Sequence, residues 1–182
     1  MKRLIACAWV LWLVGLSHPA VAADDAPIVD RREALAFLDR WTGHWRGRFT
    51  VYSQSGEVVT ALDVEQRYRW DGEVQRATFR EVDAATGAVV TADARNYVDD
   101  TGRLVCEVKK SNGESSRHLG RVEDGRLFWF ANEPGRVETF VEAVIEDERG
   151  RAYTIAGFGM YGTGEHATHF VFDGRYEAVV GE

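Results

Sequence analysis

Histidine, cysteine and carboxylate side chains are the usual material of metal centres, haem sites and acid–base pairs, so their spacing is weighed first. Beyond the first 22 residues there are four histidines, His44, His118, His166 and His169. If a strand begins near His166, the odd separation from His169 puts the two imidazoles on opposite faces, a poor joint metal site. A haem asks for less, one proximal ligand and an apolar pocket, although a surface or hydrogen-bonded histidine is the plainer reading. Cys106 alternates in phase with Leu104 and Val108, which reads as an inert buried thiol. Glu142, Glu146, Asp147 and Glu148 form an acidic run that a solvated strand end explains without calcium. The sequence contains no Gly-x-Ser-x-Gly, no His-Glu-x-x-His and no phosphate-binding glycine loop, so no catalytic residue and no metal ligand is assigned.

The aromatic residues are more informative. They are spread over many of the alternating segments, and if they face the inside of a closed sheet, Trp70, Phe79, Trp129, Phe158 and Phe170 are the candidates to line a lumen. Core filling is the competing reading of the same residues.

The elements that would position them follow from local pattern. Asp30 with Glu33 three residues on makes an N-cap and N3 pair, and Ala34, Leu35, Phe37, Leu38 and Trp41 give an apolar face to a helix over about residues 31–41. Past Gly43 the helical period disappears, and alternating segments run from about residue 44 to 180. Nine turn signals divide them: Ser55-Gly56, Asp71-Gly72, Thr86-Gly87, Asp99 to Gly102, Asn112-Gly113, Asp124-Gly125, Glu133-Pro134-Gly135, Glu148-Arg149-Gly150 and Gly162-Thr163-Gly164. Nine turns predict ten strands. The first sets Trp45, Gly47, Phe49 and Val51 against Arg46 and Arg48. The eighth sets Val137, Val141, Ala143 and Ile145 against Glu138 and Glu142, with Phe140 and Val144 out of pattern. Ten hairpin-connected strands are too many for a flat sheet with one wet face. An all-β, antiparallel up-and-down barrel with the helix closing one end is the economical fold, and a two-sheet sandwich is the alternative.

Trp41-Thr42-Gly43-His44-Trp45-Arg46-Gly47 resembles the opening of the calycin superfamily, in which a Gly-x-Trp starts the first barrel strand after a short helix. Lipocalins, fatty-acid-binding proteins and nitrobindins belong there, and the chain looks closest to secreted bacterial members. The resemblance implies that Gly43, Trp45 and Gly47 are structural. It further implies that a basic residue near the chain end, here Arg175, packs over Trp45. A nitrobindin-like barrel takes its haem ligand from near the C-terminal strands, which makes His166 the haem-ligand candidate, with Met160, Tyr161 and His169 behind it. Phe49 stands where nitrobindins tend to have a further glycine, and no second lipocalin motif is present.

The chain start reads as an export signal. Met1-Lys2-Arg3 precedes an apolar run from Leu4 to Leu16, and Ala20-Val21-Ala22 gives a small-x-small cleavage pattern. Thirteen helical residues reach only roughly 20 Å, short of a hydrocarbon core of about 30 Å, so an integral membrane anchor is not expected. Residues 1–22 are read as the signal peptide and 23–182 as one barrel domain, located in the periplasm or outside the cell. Cleavage removes Cys7 and two basic residues, leaving Cys106 as the single cysteine and taking the formal net charge from −7 to −9. That charge argues against nucleic-acid partners. The expected function is an exported barrel that binds a small apolar or amphipathic molecule. The alternatives are a calycin-type enzyme, a haem protein using a C-terminal histidine, and a filled-core interaction protein.

Overall fold

The computed structural model describes residues 27–148 and 150–180; the export segment lies outside them. Asp30 caps the helix as its spacing predicts, its side chain accepting from the Glu33 amide at 2.8 Å. The α-helix α1 runs Arg31–Leu38, and Asp39–Trp41 continues it as a tighter 3₁₀ turn. Gly43, at φ +131°, then redirects the chain into the sheet, a backbone region closed to most L-residues.

Ten antiparallel strands follow: β1 Gly43–Ser53, β2 Val58–Asp71, β3 Val74–Asp83, β4 Val89–Val98, β5 Leu104–Lys110, β6 Ser115–Glu123, β7 Arg126–Glu133, β8 Arg136–Asp147, β9 Gly150–Tyr161 and β10 Thr168–Ala178. Each pairs with the next, and β10 returns to β1 to close the barrel. Gly47 makes that closure possible. A Cβ there would lie 1.9 Å from the Arg175 carbonyl oxygen on β10, and only glycine tolerates such an approach.

The helix covers the end of the barrel that carries the β2–β3, β4–β5, β6–β7 and β8–β9 turns. Arg31 donates to the Asp99 carbonyl and to Glu73, and Arg40 to the carbonyls of Gly125 and Val144. Leu38 and Trp41 press inward from it onto Trp45, Leu104, Leu127 and Tyr153, all buried. Trp45 is 0% exposed and donates its indole N–H to the Trp41 carbonyl at 2.6 Å.

Two expectations are corrected by the strand phases. The cation over the Trp45 ring is Arg151 of β9, 5.1 Å from its centroid, and not Arg175. Tyr176 faces inward beside Tyr153, so Arg175 one position away must face outward, where it pairs with Asp147 and Glu177. On β8 the inward row is Glu138, Phe140, Glu142 and Val144, opposite Ala131, Trp129 and Leu127 of β7 for the first three. The aliphatic row of Val137, Val141 and Ile145 is the outer one. Its neighbours on β7, Phe128 and Phe130, lie under the Arg121 guanidinium, which helps to shield this apolar outer face.

Candidate functional site

The inside of the barrel has two parts. The helix end is sealed by the buried cluster around Trp41 and Trp45. Farther along the axis, Phe49, Leu62, Phe140 and Ile155 point inward yet remain only partly buried, while Tyr68 and Phe79 stand nearer the plug. A side chain that faces the interior of a closed sheet and keeps accessible surface borders open space. The aromatic wall is shaped by glycines: a Cβ at Gly159 would lie 2.8 Å from the Phe172 ring, and one at Gly174 3.1 Å from Phe49. Phe172 therefore stacks on both Phe49 and Phe140, with centroids 5.8 and 5.2 Å apart.

Two carboxylates of β8 interrupt this wall. Glu138, 3% exposed, receives His118 Nε2 from β6 at 2.8 Å and Arg136 Nη2 at 2.8 Å on one oxygen, while the Tyr161 hydroxyl donates to the other. Burial by itself would raise its pKa. The hydrogen bonds from His118, Tyr161 and Arg136 outweigh that and hold the carboxyl at about 2. Ala131, opposite Glu138 on the intervening strand, is small enough for the β6 and β8 side chains to meet across it.

Glu142 lies deeper. With Leu38, Trp41, Tyr68, Asn96, Trp129 and others it lines a cavity of about 30 Å³ against the helix plug. Burial pushes its carboxyl up to about 8, against a lowering contribution from the Trp129 indole. Cys106, on the same cavity, has its thiol pushed up by burial and by the nearby Glu142 and Glu107 charges, so it is a poor nucleophile near neutrality.

The sequence candidates are dispersed by the fold. Trp129, 5% exposed, and Phe79 both line the deep cavity. Trp70 is at the helix end, its indole N–H donating to Asp39 at 2.7 Å. Phe170 is partly buried and packs edge-on to Tyr161. Phe158 is on the outer face, 53% exposed and paired with Val171. His166 is exposed in a 3₁₀ turn, Gly164–His166, at the rim opposite the helix, and His169 is exposed on β10. The histidine of the lumen is His118. Among the described residues no three His, Cys, Asp or Glu gather as a metal would require.

His118, Asn96, Glu138 and Glu142 had no motif to mark them. The available signal was Phe140 and Val144, the two β8 residues out of pattern, whose phase is the one that turns inward.

No family model matches the chain, and no curated protein matches it. Among solved structures it is similar to the S-type phycobiliprotein lyase CPES from Guillardia theta, at 7% identity and a TM-score of 0.61 over 82% of this chain and 94% of that one. Lobster apocrustacyanin A1 aligns at 13% identity over 86% of this chain and 73% of that one, with a TM-score of 0.38. The first likeness is one of fold, a closed antiparallel barrel.

Proposed function

We propose that this chain is an exported binding barrel that takes a small amphipathic molecule into the lumen beyond the helix plug. The supporting observation is the row of inward aromatic and aliphatic side chains that keep accessible surface: Phe49, Leu62, Phe140 and Ile155. A filled core would have buried them. The fold hosts unrelated functions, so the likeness to a lyase assigns no chemistry here. The reading rests on the lumen.

The energetics permit it. Apolar burial contributes roughly 25 cal/mol per Å², so a ligand covering about 300 Å² gains several kcal/mol against the cost of lost motion, enough for micromolar affinity. The test is titration of the chain with an environment-sensitive apolar fluorophore while tryptophan emission is followed. The expected result is one competable molecule per chain and quenching of Trp129. Phe140→Trp, which fills the lumen, should weaken binding by about tenfold or more while the β-sheet circular dichroism is retained. Non-saturating uptake, or uptake indifferent to Phe140, would mean surface adhesion and overturn the proposal.

A further inference from the structure

The floor of the lumen carries a chain of amides whose direction is fixed from one end. The Leu38 carbonyl can only accept, and it accepts from Gln75 Nε2 at 2.7 Å. Gln75 must then present its oxygen onward, and it receives Asn96 Nδ2 at 3.0 Å. Asn96 is thereby oriented with Oδ1 away from the chain of amides. That oxygen has no partner among the described residues, although Asn96 is only 6% exposed. Buried acceptors are nearly always satisfied, and Asn96 borders the deep cavity that Glu142 also lines.

Glu142, on the same cavity, has a hydrogen bond from the Trp129 indole but no cation. Two other inward carboxylates have a cation: Glu138 has Arg136 and His118, and Glu81 has Lys110 at 3.0 Å. Among the described residues no Lys, Arg or His forms an ion pair with Glu142. Around the cavity stand Trp41, Tyr68, Phe79 and Trp129, and aromatic faces attract cations.

We infer that this floor is the site of a primary ammonium group, so that the amphipathic ligand of the lumen is an amine whose cationic end is seated between Glu142 and Asn96. The inference rests on the binding-barrel reading. An ammonium group supplies hydrogens to both oxygens and a charge to the carboxylate, whereas a hydroxyl supplies one hydrogen and no charge. A cavity of about 30 Å³ is on the scale of one water or one such group, too small for a trimethylammonium. The rest of the ligand would rise past Phe79 toward Phe140.

Seating the amine at pH 7 also moves a proton. Glu142 begins largely as the acid, and pairing turns it into the carboxylate, releasing one proton to solvent while the ammonium keeps its own. The titratable groups that feel Glu142 are Tyr68 of β2, Cys106 of β5, Tyr153 of β9 and Tyr176 of β10, all shifted upward and neutral at this pH. None of them competes as the source of the proton.

Calorimetric titration of the full chain with hexylamine and with 1-hexanol, at pH 7 in two buffers of different ionisation enthalpy, tests this. The expected result is amine binding at least about tenfold tighter than alcohol, with a buffer-dependent heat showing proton release for the amine alone. Glu142→Gln should bring the two affinities together and abolish the buffer dependence. Equal binding of amine and alcohol by the unaltered chain, with no proton release, overturns the ammonium site and leaves the binding barrel standing; a water molecule is then the occupant of the floor. Binding of neither molecule overturns both readings.

Discussion

Glu138 and Glu142 are four residues apart on one strand and face the same lumen, yet their surroundings drive their protonation in opposite directions. Three donors hold Glu138 at about 2, while burial without a cation lifts Glu142 to about 8. An unfolded glutamate titrates near about 4.3, so Glu142 has a folded pKa above its unfolded one. Between those values the folded state binds a proton that the unfolded state has lost, and stability falls as pH rises; above the folded value both states are ionised and the loss is complete. Glu142→Gln removes this dependence. Its unfolding free energy should gain on the unaltered chain from about pH 5 to pH 8 and hold a constant lead above that, a difference on the order of a few kcal/mol at the plateau that denaturant titration at each pH measures. Glu138 acts below its unfolded value, losing its contribution as pH falls toward about 2, and it cancels between the two proteins. A lead that stays flat from pH 5 to 9 would show that the Glu142 carboxyl is hydrated. These two residues were illegible from the sequence for a physical reason. Alternation assigns faces by assuming that carboxylates seek water, and on β8 two carboxylates seek the polar groups of a lumen instead.

At the scale of elements the reading from sequence went much further, because turns are written in backbone sterics. All nine turn signals fall at strand junctions, and most depend on a glycine at positive φ, such as Gly113 at +93° and Gly125 at +71°. The helix was legible through its cap, although its last turn tightens to 3₁₀ at Asp39–Trp41. What local pattern could not settle was which basic residue covers Trp45, since that depends on register across the closing seam. The structure assigns the role to Arg151, whose guanidinium lies over the Trp45 ring and donates to the Arg40 carbonyl. It ties β9 to the helix end. Arg151→Ala should therefore cost about 1–3 kcal/mol and shift tryptophan emission, whereas Arg175→Ala, which removes outer-face ion pairs, should change stability little and leave emission unmoved. An Arg175 variant that perturbed emission more than the Arg151 variant would reverse the assignment.

For the molecule as a whole, nine turns implied ten strands and ten strands implied closure, but strand number sets the width of a barrel and not how it is filled. Here the helix plug seals one end of the interior, and the stacked Phe49, Phe140 and Phe172 rings form part of the wall beyond it, a partition that depends on side-chain volumes meeting across distant strands. No disulfide contributes: beyond residue 22 the chain has only Cys106, which is free. Stability then comes from the barrel ladder and the Trp41–Trp45 core. This bears on export, the part of the proposal that rests on residues 1–22. A chain exported to an oxidising compartment but built without a disulfide should fold there unaided and melt at the same temperature with or without dithiothreitol. Expressed in a bacterium with a periplasm, the chain should be recovered from the soluble periplasmic fraction with an intact mass that starts at Ala23 or one residue to either side. Full-length protein retained in the cytoplasm or in the membrane fraction would refute export while leaving the barrel and its lumen untouched.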